Sequence, residues 1–174
     1  MPACRLLPIL ACCFLAACAT PRQPQGLEMP APDEPRAASL LAGYLLGRGW
    51  TVKLADATLV LAERGPERLQ LEPLLDAGGL DRIIVWRSWP VAPEADPAAL
   101  QAFALELNAT LNVGQFQAVP GELRFQSSLS FLDAVDPALL DAFLEFTGQV
   151  RLAVEQVQDG RVLLAPVEAG PASR

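Results

Sequence analysis

The chain has 174 residues, 13 basic and 20 acidic side chains, a formal net charge of −7 and no histidine. A negative body lacks the clustered Lys and Arg that nucleic acid binding requires. Without histidine it also lacks the commonest general base, the Ser-His-Asp and Cys-His nucleophile pairs and nitrogen-ligated zinc.

Carboxylate chemistry stays open, as does chemistry on Lys53 and Tyr44, each the single member of its kind. The expectation is a non-catalytic chain with no catalytic residue, metal or cofactor.

The four cysteines, Cys4, Cys12, Cys13 and Cys18, all lie in the first 18 residues. Arg5 precedes an unbroken apolar run, Leu6 to Ala17. A dozen residues is too short for the roughly 20 that span a bilayer, and fits the core of a secretory signal. Nothing after Cys18 could partner the other cysteines in a disulfide or zinc site.

Leu15-Ala16-Ala17-Cys18 resembles the lipobox of bacterial lipoproteins. The resemblance implies removal of residues 1–17, diacylglyceration of the Cys18 thiol and acylation of the new amino group, palmitate being a typical chain. Ala19 rather than Asp after the cysteine implies an outer-membrane anchor facing the periplasm of a Gram-negative cell. Ile9-Leu10-Ala11-Cys12 is a poorer match, because Leu10 is bulky. The mature chain would have 174 − 17 = 157 residues, with 12 basic and 20 acidic side chains once Arg5 is lost. That length suits one domain.

Residues 18–36 carry five prolines and no apolar period, and read as a spacer; an irregular arm packed on the domain is the alternative. The folded domain is expected over 37–165, with a frayed tail at 166–174. In "RAASLLAGYLLGRGW", Leu40, Leu41, Tyr44 and Leu45 recur at helical spacing and Gly47 and Gly49 stop the run.

Period two then takes over, with Trp50, Val52 and Leu54, then Leu59 and Leu61, then Leu69 and Leu71, each set on one face. "LDRIIVWRSW" continues as a strand rich in β-formers. Asp96-Pro97 opens a second helix lined by Leu100, Phe103, Ala104, Leu107 and Leu111. Pro120-Gly121 joins two further strands, with Leu123, Phe125, Leu129 and Phe131 on one face. Asp136-Pro137 opens the last helix, lined by Leu140, Phe143, Leu144, Val150, Val154 and Val157, with Gly148 a weak point in it. "DGRVLLAP" suggests a terminal strand.

The expected fold is α+β, an antiparallel sheet in the order helix, three or four strands, helix, two strands, helix, with the helices on one face. This order, and "LQAFALELNATLNVGQFQAVPGELRFQSSLSF…LLDAFLEF" above all, resembles the YbjN-like domain, related in fold to type III secretion chaperones. The resemblance spans about residues 38–157. It implies a small binding fold without a known catalytic site; its members are provisionally described as regulators. The chaperone relatives bind extended segments of partner proteins, commonly as dimers. An envelope protein partner or a homodimer follows as the expectation, and the lipobox sets this chain apart from cytoplasmic members.

Trp86, Arg87 and Trp89 form a candidate partner-contact surface of aromatic and cationic groups; the alternative is a strand buried on one face with Arg87 at the sheet surface. Asp133, Asp136 and Asp141 lie close in sequence, but Asp136 reads as an N-cap and Asp141 as a helix-dipole residue rather than as parts of a hydrolase pair or cation site. Asn108-Ala109-Thr110 matches an N-glycosylation pattern, but a role closing the second helix suits Asn108 better. The reading is a periplasm-facing, membrane-anchored accessory or regulatory module that binds protein. The alternative is a small-ligand carrier or a carboxylate-dependent envelope enzyme.

Overall fold

A computed structural model describes residues 26–76, 80–112, 114–158 and 162–165. The signal segment 1–17, the lipobox Leu15 to Cys18 and the tail 166–174 lie outside the described residues.

Six antiparallel strands make the main sheet, in spatial order β2-β3-β4-β5-β7-β6: β2 Thr51–Leu54, β3 Val60–Arg64, β4 Glu67–Leu74, β5 Asp81–Pro90, β6 Gln115–Val119 and β7 Glu122–Phe131. Helix α1 (Glu34–Leu46) precedes the four-strand meander, α2 (Pro97–Thr110) crosses from β5 to β6, and α3 (Pro137–Gln158) closes the chain. A two-residue strand, β1 (Leu27–Glu28), pairs antiparallel with β8 (Ala134–Val135) beside the start of α3. The α+β order is the expected one, with β1 and β8 added.

All three helices cover the same face of the sheet. Val60, Ala62, Leu69, Leu71, Ile83 and Val85 point into that layer, as do Leu123, Phe125, Leu129 and Phe131. Under α1 they join Ala37, Ala38, Leu41, Ala42 and Leu45; under α2 the core is aromatic, built on Trp89, Phe103, Phe116 and Phe125. Helix α3 spans both, with Leu140 and Leu144 in the first cluster and Val150 and Val154 in the second. No helix among the described residues is long and apolar enough to cross a membrane.

The local signals act as their chemistry requires. Asp96 accepts from the amides of Ala98 and Ala99, and Asp136 from that of Ala138. Gly121 takes φ +82°, the left-handed value that a type II turn demands of its second central residue. Gly114 is needed for another reason: a Cβ there would stand 2.5 Å from the carbonyl oxygen of Gln126 and from the ring of Phe125.

Four details differ from the sequence reading. The packed body begins earlier than residue 37. Leu27 pairs with Val135, Met29 is buried, and Asp33 caps a helix that already includes Glu34 and Pro35. The proline density that suggested a spacer here includes a proline suited to a first helical turn.

On α1, Leu41 and Leu45 are buried as expected, but Ala37, Ala38 and Ala42 complete the stripe, Tyr44 is half-buried and Leu40 is exposed. On β3 the inward residues are Val60 and Ala62, so Leu59 and Leu61 fall on the outer side; the turn at 55–59 resets the alternation. Finally, α3 runs through Gly148 unbroken, while the described part of the terminal segment, 162–165, is tied to residues 90–92 by a bridge, Leu164 with Val91, rather than by a named strand.

Candidate functional site

Strand β5 lies between β4 and β7, and its pleat sorts its side chains into two environments. Asp81, Ile83, Val85, Arg87 and Trp89 are buried under the helices, whereas Trp86 is half-buried on the open face. The contact surface expected of Trp86, Arg87 and Trp89 is therefore divided. Arg87 is not at the sheet surface either, since its side chain keeps only 4% exposure.

The reason is a set of charges from distant parts of the chain. Arg87 Nη2 lies 2.5 Å from Glu67 Oε2, and Arg151 Nε on α3 donates to Glu67 Oε1 at 2.9 Å. Arg151 also reaches Glu155, at 2.5 Å. Glu67 thus sits between two guanidinium groups, and its contact with Arg87 is a buried ion pair. Burial pulls the pKa of Arg87 below its ordinary value and Glu67 opposes that; hydrogen bonding to Glu67 raises that of Arg151. A buried pair of this kind is costly to break and weak as a source of net stability. Trp89, for its part, stacks with Phe116 at 6.4 Å, and Phe116 meets Phe125 at 4.9 Å.

The open face has its own order. Trp86 sits on one rung with Gln70 of β4 on one side and Gln126 of β7 on the other, and Gln115 of β6 lies beyond. Ile84 stands between Glu72 and Ser128, and Ser88 faces Arg124. Asp56, Leu59, Gln70, Glu72, Trp86 and Arg124 line one shallow cleft of about 270 Å³.

Asp56 accepts from the amides of Thr58 and Leu59, at 2.8 Å each, and these bonds hold its carboxyl below the usual range. The Thr58 hydroxyl lies 3.4 Å from Asp56 and 3.5 Å from Glu72. Arg124 is paired with Glu122. The cleft can offer an aromatic face, an amide rung and a fixed anion; Asp56 is poorly suited to donate a proton.

A larger cavity of about 540 Å³ lies at the far end of the sheet, between the β5–α2 connection and the β6–β7 turn. Its walls are mainly apolar, among them Val91, Leu100, Ala118, Val119 and Pro120, with Gln101 polar. A neighbouring 320 Å³ cleft runs along α2 and β6 past Asn108. Asn108 does not close α2, which continues to Thr110. Instead its side-chain amide donates to the Phe116 carbonyl at 2.9 Å and accepts the Phe116 amide at 2.8 Å. It satisfies both backbone groups of an edge-strand residue.

The three aspartates near α3 have separate partners. Asp133 takes φ 57° and its carbonyl accepts the Met29 amide, Asp136 is the cap, and Asp141 ties α3 to α1. Asp141 accepts from Tyr44 Oη at 2.8 Å and Arg48 Nε at 2.6 Å. The Arg48 guanidinium stacks 3.5 Å from the centre of the Tyr44 ring. Burial and the Asp141 bond push the Tyr44 hydroxyl well above its ordinary range. Among the described residues no group of three or more acidic or sulfur ligands converges as a metal site.

Sequence reasoning missed the neighbours of Trp86. Gln70, Glu72 and Arg124 come from two other strands, and only register places them together; the alternation of those strands was the available signal.

No family model and no curated protein matches the chain. Solved structures do. YbjN from E. coli, a provisionally assigned transcription regulator, superposes with a TM-score of 0.54 at 17% identity, over 74% of this chain and 95% of that one. An uncharacterised protein from Methanothermobacter thermautotrophicus gives 0.51 at 16%, over 71% and 97%. Neither is described as an enzyme. With its one-sided α+β sheet and these neighbours, the chain has a YbjN-like fold.

Proposed function

We propose that this chain is a lipid-anchored, periplasm-facing accessory module of the bacterial envelope that binds a protein partner without catalysis. The observation that carries the binding role is Trp86, half-exposed at the centre of a sheet face that no helix among the described residues covers. Aromatic residues at the centre of a patch supply most of the energy in protein contacts, and polar neighbours fix register. The amide rung of Gln70, Gln126 and Gln115 and the shallow cleft beside Trp86 fit that pattern. The Leu15 to Cys18 pattern supports the anchor, and the provisional regulator role of YbjN agrees with an accessory module.

A photo-crosslinker in place of Ser128, on the same face, tests the reading in intact envelopes. The expected outcome is a reproducible crosslinked partner, whether another protein or a second copy of the chain. Trp86→Ala should reduce its yield about tenfold or more, as loss of a hot-spot aromatic does, with a urea midpoint that shows the fold retained. An empty crosslink profile, or a yield indifferent to Trp86, overturns it. Absence of acyl groups on Cys18 by mass spectrometry overturns the anchor.

The 540 Å³ cavity favours a second reading, a carrier for a small apolar ligand, because its size and lining suit one. Native mass spectrometry of protein released gently from membranes separates the two: a bound small molecule lost on Leu100→Gln supports the carrier.

A further inference from the structure

We infer that the end of the fold bearing β1 and β8 docks on the membrane surface through a rim of exposed leucines. This rests on the anchored reading of Cys18. Leu74, Leu80, Leu132 and Leu139 are 37%, 50%, 69% and 49% exposed. The strand register brings three of them to one end. Leu74 pairs with Arg82 at the end of β4, Leu80 precedes Asp81, and Leu132 follows Phe131, the partner of Asp81. Leu139 stands in the first turn of α3, directly after β8.

The chain enters the fold at the same end. Gly26 lies so close to Ala134 that a Cβ on it would be 2.8 Å from the Ala134 Cβ, and the Met29 amide donates to the Asp133 carbonyl. Only eight Cα–Cα steps separate Cys18 from Gly26. Fully extended they reach at most about 29 Å, and a flexible chain of that length averages about 16 Å.

A folded body of about 140 residues has a radius of gyration near 14 Å and is about 37 Å across. The tether is thus shorter than the body is wide. It cannot let the body turn its far end to the lipid, so the end that carries the leucine rim is the one kept within reach of the interface. Glu28 and Asp133 outweigh the exposed Arg82 at this end, so contact is driven by apolar area more than by attraction to anionic headgroups.

The mature, acylated protein in vesicles of phosphatidylethanolamine with a minor share of phosphatidylglycerol provides the test. Cys18 is the single cysteine after processing and its thiol is blocked, so Leu80→Cys, Leu132→Cys and Gln101→Cys can each carry one environment-sensitive fluorophore. Gln101 borders the cavity at the opposite end of the sheet. The expected result is blue-shifted emission, quenched by lipids with a nitroxide on the upper acyl chain, at 80 and 132 and not at 101.

Equal responses at all three positions in protein whose acylation is verified would overturn the docking and leave the anchor intact. Shielding of 80 and 132 that appears only with other envelope proteins, and not in pure lipid, would also overturn it. Protein without acyl groups on Cys18 would fail at the earlier step, the anchor itself.

Discussion

The half of the core under α1 and the half under α2 are built from different materials. Under α1 the helix contributes Ala37, Ala38 and Ala42 beside Leu41 and Leu45, and the sheet answers with Val60, Ala62, Leu69 and Leu71. Small side chains let that helix lie close on the strands. Under α2 the contacts are Trp89, Phe103, Phe116 and Phe125, and the 540 and 320 Å³ cavities border this half.

One helix serves both, and between its two apolar stretches Gly148 and Arg151 stand over Glu67, the partner of Arg87. Buried charge at a seam does little for net stability, but it penalises any register that leaves Arg87 without Glu67. The contrast suggests that the two halves are aligned by electrostatics and held by apolar burial.

Removing the charge that joins the halves should have the largest effect. Glu67→Gln leaves Arg87 buried without a counter-charge and should cost about 3 kcal/mol, the low end for such pairs because Glu67 keeps 17% exposure. A urea titration measures it. A companion variant with Glu67→Met and Arg87→Leu should recover most of that loss, and no recovery would show that the pair itself holds the halves together.

Within the aromatic half, Asn108→Ala strips the Phe116 amide and carbonyl of their partner and should cost about 1–3 kcal/mol. Hydrogen exchange should show the Phe116 amide losing protection while the strands under α1 keep theirs. Equal loss in both halves would mean that they do not open separately.

On the shared helix the sign reverses. Gly148 is helical, and a Cβ there would stand 3.9 Å from Glu67, an ordinary contact. Gly148→Ala should stabilise by about 0.5–1 kcal/mol through helix propensity, read as a raised melting temperature.

The smallest effect belongs to the aliphatic half. Burial would raise the Asp141 pKa, but the bonds from Arg48 and Tyr44 outweigh it, and the carboxyl sits below its ordinary value. A depressed carboxylate contributes stability that is present above the unfolded pKa near 4 and is lost as pH falls through the lower folded value. Asp141→Asn should therefore cost only a few tenths of a kcal/mol at pH 7, given its exposure, and the gap from the parent should begin to narrow at about pH 4 and vanish below the lower folded value. A gap that does not narrow as pH falls below about 4 would place the effect in packing instead.

Much of the architecture was legible because it depends on neighbours in sequence. Asp96-Pro97, Asp136-Pro137 and Pro120-Gly121 act within three residues, and each marks the boundary it should. The inward side of β5 was harder. Arginine at position 87 reads as a surface residue unless Glu67 and Arg151 are brought to it, and they lie 20 residues before and 64 after. The face of β3 was misread for a related reason: alternation gives two faces, and the Asp56 turn decides which pair, Val60 and Ala62 or Leu59 and Leu61, goes in. The cleft at Trp86 depends on the register of three strands, which no local signal contains.

The pairing of β1 with β8 has a mechanical consequence. In an anchored chain any drag on the body is transmitted through the stretch that enters at Gly26. It reaches two rungs first, Leu27 with Val135 and Glu28 with Ala134, before it reaches α1. Backbone pairing that short can detach while the six-stranded sheet remains whole, so the join yields under load like a weak link placed ahead of the working parts. Reattachment needs only the return of a few residues to their groove beside α3.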